Sequence, residues 1–168
     1  MKTDSIGRLW APWRINYVRS DNKTKGCIFC DSRRRHEKKL VIVQTRYSLA
    51  MLNRYPYNNG HLMACPKRHV KSLAQLTPKE VLDLFGLVVT AQKLLIKVLK
   101  PHGFNIGINT SMVAGAGIPG HLHIHIVPRW NGDTNFMPVV YQTKVISQSL
   151  NHLYTLLRDA ANKNDKRA

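Results

Sequence analysis

The segment His121-Leu122-His123-Ile124-His125-Ile126-Val127-Pro128-Arg129 carries the densest chemistry in the chain. An extended backbone repeats every two residues. His121, His123 and His125 therefore share one face, and Leu122, Ile124 and Ile126 share the other. The apolar face explains burial; three imidazoles on the opposite face need another reason. A solvated sheet edge or a bare metal tripod fits the residue types, since histidine is a common metal ligand. A nucleophile fits as well. Imidazole, with a reference pKa of ~6.5, is largely neutral at pH 7 and can attack phosphorus covalently.

The residues just upstream, Ala114-Gly115-Ala116-Gly117-Ile118-Pro119-Gly120, are small. They suit a flexible hairpin loop, or a loop whose backbone N–H groups approach an anion closely. Beside the histidine strand the anion cradle is the stronger reading. Cys27-Ile28-Phe29-Cys30 is a CxxC. It fits a redox pair, half a zinc site, or two buried thiols. No thioredoxin-like βαβ pattern surrounds it, and zinc needs two further N or S ligands. Cys65 lies in an apolar stretch and reads as a small buried residue.

These residues must be held by a scaffold. Strands are expected at 40–43 and 47–53, a turn from Pro56 to Gly60, and a short strand at 61–65. Thr77-Pro78-Lys79-Glu80 has the form of a capping box with proline at the first helical position. Val81, Leu84, Phe85, Val88, Ala91, Leu95 and Val98 then follow at helical spacing, as one buried stripe ending before Pro101. Residues 104–109 and 121–127 read as strands around the Gly-rich segment. Leu150, Leu153, Tyr154 and Leu157 mark a C-terminal helix. Strands with hairpin-like connections and segregated helices make an α+β fold with an antiparallel sheet. The organisation is an aromatic arm over residues 1–26 (Trp10, Trp13 and Tyr17), one domain over 27–162, and a polar tail over 163–168. Aromatics of that size seldom stay in water, so the arm is expected to pack on the domain or on a partner subunit.

Length and composition set the outer limits. A chain of 168 residues with 43% hydrophobic residues can bury one core without disulfides. The longest aliphatic run, Leu40 to Val43, is far too short to cross a membrane, and the first residues lack an apolar signal region. Three cysteines do not suggest a disulfide framework. The chain therefore reads as soluble and cytoplasmic. The formal net charge is +17. Residues 1–71 carry 16 Lys and Arg against 4 Asp and Glu, and the remainder carry 10 against 5. Such an excess attracts polyanions, whether nucleotides, nucleic acids or anionic membranes. The run Arg33-Arg34-Arg35 with Lys38 and Lys39 fits a solvated loop better than a nucleic-acid contact.

Together these motifs resemble the histidine-triad (HIT) superfamily of nucleotide hydrolases and transferases. The His121-x-His123-x-His125 triad with apolar spacers carries the likeness. So do Leu9-Trp10-Ala11-Pro12-Trp13-Arg14, Leu52-Asn53-Arg54-Tyr55-Pro56 to Gly60-His61, Gly103 to Asn109, and Pro128-Arg129-Trp130-Asn131-Gly132-Asp133. The pattern is most similar to the branch of diadenosine-polyphosphate hydrolases and phosphorylases. That resemblance implies a five-stranded antiparallel sheet with a long helix and a C-terminal helix, usually as a homodimer. It implies His123 as nucleophile, forming a nucleotidyl-histidine at an α-phosphate. His125 would bond phosphate or leaving-group oxygens, and the His121 backbone would orient the His123 ring. It assigns Asn53 to the ribose, His61 to the same pocket, and Asn109, Gly115 and Gly117 to the phosphates. Trp130 follows the triad strand as in phosphorylase-like members. Some phosphorylases have serine where this chain has Gly117.

Some members of the superfamily also hold structural zinc with the same CxxC, a histidine matching His69 and the first triad histidine. That implies a site of Cys27, Cys30, His69 and His121, with His36 as substitute should His69 point away. Magnesium would arrive chelated to the polyphosphate rather than in a built site. The function implied is cleavage of an adenine dinucleoside polyphosphate, with phosphorolysis slightly favoured over hydrolysis because Gly115–Gly117, Asn109 and Arg129 offer donors to phosphate. A nucleotide- or nucleic-acid-binding module with little catalysis is the competing reading. An intact triad beside a Gly-rich loop favours the enzyme.

Overall fold

The computed structural model describes residues 26–33, 40–134 and 146–165. Residues 1–25 of the aromatic arm, His36 and the Arg34–Lys39 part of the basic run lie outside them. Helix α1 (Ile28–Arg33) is followed by strands β1 (Val41–Gln44), β2 (Ser48–Leu52) and β3 (Leu62–Pro66). Helix α2 (Pro78–Leu99), strands β4 (Gly103–Gly107) and β5 (Ile124–Arg129), and helix α3 (Leu150–Asp165) complete the order. The sheet is antiparallel, in the order β1-β2-β3-β5-β4. This is the expected α+β architecture, with each strand within two residues of its expected place except the last.

Each face of the sheet has its own core. Ile42, Ala50, Leu52, Leu62, Ala64, Leu122, Ile124 and Ile126 pack under α2 and α3. Leu49, Met51, Met63 and Cys65 point the other way and, with Val41, enclose Phe29 of α1. The alternation of the sequence thus separates a helix-covered face from the face that carries the histidines.

Three expectations need correction. The histidine segment enters the ladder only at Ile124, so His121 and His123 precede β5. Leu122 N–H donates instead to the Val70 carbonyl at 2.6 Å, outside the sheet. Phe85 is half-exposed, and the buried stripe of α2 runs through Leu84, Leu87, Val88, Ala91, Leu94 and Leu95. Helix α3 also continues past residue 162 to Asp165, with Lys163 in its last turn complementing the helix dipole.

The start of α2 locks to the segment that follows β3. Thr77 accepts from Glu80 N–H at 3.3 Å, and Glu80 accepts from Thr77 N–H at 2.8 Å, a complete capping box. Arg68 forks onto the same carboxylate through Nε at 2.9 Å and Nη2 at 2.8 Å. The bonds from Arg68, then those from Thr77, hold Glu80 down at a pKa of about 2. A depressed carboxylate stabilises the fold above its unfolded pKa and loses that contribution as pH falls toward 2. Glu80→Ala should cost about 1 kcal/mol at neutral pH from the cap alone. The deficit against the parent should shrink below pH 4, as read by thermal melts across pH.

Candidate functional site

The face opposite α2 and α3 collects four histidines in hydrogen-bonded order. His123 Nδ1–H donates to the His121 carbonyl at 2.8 Å. Because that nitrogen holds the proton, the neutral ring leaves Nε2 with a bare lone pair. His123 is buried, and burial lowers its pKa below the ordinary histidine value, which keeps it neutral. The ring packs edge-on against His125, with centroids 4.9 Å apart.

His125 is fixed by a second chain of bonds. Tyr57 N–H donates to His61 Nδ1 at 3.1 Å, and Asn53 Nδ2 lies 3.3 Å from the same atom. His61 Nδ1 is therefore an acceptor, and its proton resides on Nε2. That N–H faces His125 Nδ1 at 2.9 Å, so His125 accepts there and carries its own proton on Nε2. The network yields an unprotonated Nε2 on His123 next to a protonated Nε2 on His125. A ring nitrogen with an available lone pair thus sits beside a ring N–H, the pair of groups that nucleophilic attack with proton donation requires. The Tyr57 ring, stacked 4.7 Å from His61, closes the group.

The sequence singled out neither Tyr57 nor Phe29, whose ring lies 5.0 Å from His123. A visible signal existed for each: Phe29 sits inside the CxxC, and Tyr57 sits in the turn that precedes His61. Asn53, expected at a ribose, uses its amide on His61 and accepts Tyr55 N–H at 2.9 Å.

The loop joining β4 to β5 starts at Gly107, directly opposite His125. Asn109 Nδ2–H donates to the Gly115 carbonyl at 3.4 Å, so these two phosphate candidates meet each other. Gly115 has φ +87°, a conformation that favours glycine, and Gly117 is exposed. Trp130 and Arg129 go elsewhere. Trp130 follows the far end of β5, five residues or roughly 16 Å of strand beyond His125. There Asp133 accepts Trp130 N–H at 3.2 Å and Arg129 Nε–H at 2.6 Å, while Arg129 Nη1 reaches Asn105 at 2.7 Å. Arg129 is thus a clamp on the strand end, which corrects its expected place among the phosphate donors.

Next to the histidines lies a metal-competent cluster. The ligand atoms of Cys27, Cys30, His69 and His121 all lie within 4.8 Å of one another. His121 Nδ1 is 3.2 Å from Cys27 Sγ and 3.7 Å from Cys30 Sγ, and His69 Nδ1 is 3.4 Å from Cys30 Sγ. A tetrahedral site with bonds of 2.0–2.3 Å has ligand–ligand edges of about 3.3–3.8 Å. The protonation also fits. His121 Nε2–H donates to the Pro66 carbonyl at 2.9 Å, leaving Nδ1 free toward the sulfurs, the usual outer support of a ligating histidine. His69 points inward, so the cluster is complete without His36. Cys65 is fully buried nearby, and burial raises its thiol well above the ordinary value. It behaves as a core residue.

Known proteins resemble this chain in sequence and fold. The HIT domain family model matches residues 34–132. The AP-4-A phosphorylase of Mycobacterium tuberculosis is 39% identical over 163 residues, covering 92% of this chain and 84% of that one. The asymmetrical bis(5'-nucleosyl)-tetraphosphatase of Schizosaccharomyces pombe is 39% identical over 101 residues, 60% of this chain and 55% of that one. The crystal structure of a zinc-bound histidine triad family protein from Mycobacterium smegmatis aligns with TM-score 0.64 at 25% identity, over 86% of this chain and 99% of that one. Among the described residues no helix is long and apolar enough to cross a membrane.

Proposed function

The chain belongs to the HIT domain family, and from that premise we propose that it cleaves dinucleoside polyphosphates, of the diadenosine tetraphosphate kind, at an α-phosphate. It is an enzyme acting on phosphoanhydride or phosphoramidate bonds. The observation that carries the reading is the His123 Nδ1–H bond to the His121 carbonyl, which leaves Nε2 bare and buried beside a proton donor. His123 Nε2 attacks the α-phosphorus, and the bond to the bridging oxygen breaks. His125 Nε2–H gives its proton to the departing nucleoside polyphosphate. The nucleotide remains bonded to His123 through phosphorus and nitrogen until an acceptor oxygen displaces it.

The acceptor is inorganic phosphate or water. Phosphorolysis is favoured by the AP-4-A phosphorylase similarity over 92% of this chain. Hydrolysis has its own support in Gly117, where a serine hydroxyl would have helped to hold phosphate, and in Arg129, which is tied to Asp133. The test is diadenosine tetraphosphate with and without millimolar phosphate, with products separated by anion exchange. We expect adenosine diphosphate only when phosphate is added. Adenosine monophosphate at a rate indifferent to phosphate would make the enzyme a hydrolase. Absence of turnover and of any labelled adduct would leave the binding-module reading.

The same reading includes zinc in the Cys27, Cys30, His69 and His121 cluster. Zinc is redox-inert, and its contribution there would be structural, since all four positions are filled by the chain. It also includes a homodimer in the cytoplasm. Among the described residues β4 has no strand on its outer side, and Leu82, Phe85 and Val89 are exposed along α2.

A further inference from the structure

Helix α1 has six residues, too few to persist without outside support. It is held by what it touches. Ser32 Oγ–H donates to the Phe29 carbonyl at 3.0 Å and lies 3.6 Å from Met51 Sδ. Cys27 and Cys30 bracket the helix start at the metal-competent cluster. Between those cysteines, Phe29 is only 1% exposed. Its ring meets His121 edge-on at 5.1 Å and His123 at 5.0 Å, with a tilt of 37° to the latter.

The His123 ring needs such a neighbour. A hydrogen bond from Nδ1 fixes one atom, but the terminal torsion of histidine is broad and lets the plane swing. A useful nucleophile must hold Nε2 within a fraction of an ångström of its line of attack. His125 contacts the ring edge-on at 76° but also has to handle the leaving group. Phe29 bears no polar atom and contacts both the histidine whose carbonyl orients His123 and the His123 ring itself.

We propose that Phe29 is a positioning residue for His123, setting the plane of its ring through direct aromatic contact. The proposal rests on the assignment of His123 as nucleophile. It gives the CxxC segment a second role, in which the cysteines that complete the cluster also seat the ring that aims the nucleophile.

The test uses the full chain with Phe29→Leu, which keeps an apolar side chain and loses the flat face. Phe29→Met serves in its place should the leucine variant not fold. Val41→Ala, in the same core around Phe29, is the control for general loosening. Four quantities are read: kcat and KM with diadenosine tetraphosphate, melting temperature, zinc per chain, and the nuclear magnetic resonance signal of the His123 Nδ1 proton. In Phe29→Leu we expect kcat to fall about tenfold to a hundredfold with KM changed less than about threefold, the size expected for ~1 Å of misplacement. Zinc content should stay at the parent level, and the Nδ1 proton should broaden or exchange faster. Val41→Ala should lower melting while keeping kcat and the proton signal. A smaller fall in kcat would overturn the proposal. So would a fall matched by Val41→Ala, or one that tracks lost zinc. Should the parent enzyme neither turn over nor label, the nucleophile assignment fails. The Nδ1 proton, compared between parent and Phe29→Leu, then still decides whether Phe29 holds the ring.

Discussion

His123→Ala should reduce turnover of diadenosine tetraphosphate by several powers of ten, each tenfold step corresponding to about 1.4 kcal/mol of lost transition-state stabilisation. In the proposed reaction this is the one side chain that forms a bond to phosphorus. His125 Nε2 carries its proton because His61 holds the other nitrogen, so it has no lone pair to substitute. The remaining site would still bind nucleotide, since the loop of Asn109 to Gly117 and the His61–His125 pair are untouched. Removing the buried ring leaves a gap against Phe29, so melting should fall modestly while far-ultraviolet circular dichroism stays as in the parent. With α-labelled substrate, the parent should carry acid-labile label and His123→Ala none. Retention of turnover within one order of magnitude would remove His123 as the nucleophile.

Much of this site can be read from local sequence because it depends on local periodicity. The two-residue repeat from His121 to Ile126 separates imidazoles from aliphatics, and the structure keeps that separation although the first three residues precede the strand. The capping box at Thr77 and Glu80 is equally local and is found as expected. What escapes the sequence depends on contacts between distant segments. Leu122 bonds to Val70 instead of continuing the ladder, so strand propensity overstates where β5 begins. Phe85 has the spacing of the buried stripe, but α2 turns Leu87 and Leu94 inward in its stead. Arg129 reads as a phosphate donor in the sequence, yet Asp133, four residues on, holds it; that spacing is a usable warning. The tautomers of His61 and His125 arise from Tyr57 N–H and Asn53, and no pattern in the chain announces them.

Protein purified without added metal should contain close to one zinc per chain, and Cys27→Ser should lower both metal content and melting temperature. The four ligands come from three places: the start of α1, the segment after β3, and the approach to β5. Binding one ion there closes a connection from Cys27 to His121, 94 positions apart. In the unfolded chain these ligands are scattered, so the free energy of binding becomes free energy of folding. Structural zinc in small peptide domains is worth ~10–16 kcal/mol, but here a sheet with two cores remains when the ion leaves. Melting should therefore fall by ten degrees or so rather than to complete unfolding, a loss of a few kcal/mol at about 2–4 °C per kcal/mol for a chain of this length. Cys65→Ala separates ligation from general cysteine effects. Its sulfur lies in the apolar cluster, outside the four-ligand group, so zinc content should stay at the parent level while melting falls for loss of core volume. Elemental analysis of the three proteins decides the matter. Zinc-free parent protein, with Cys27→Ser melting unchanged, would show that the cluster is four side chains packed together, each serving the fold without an ion.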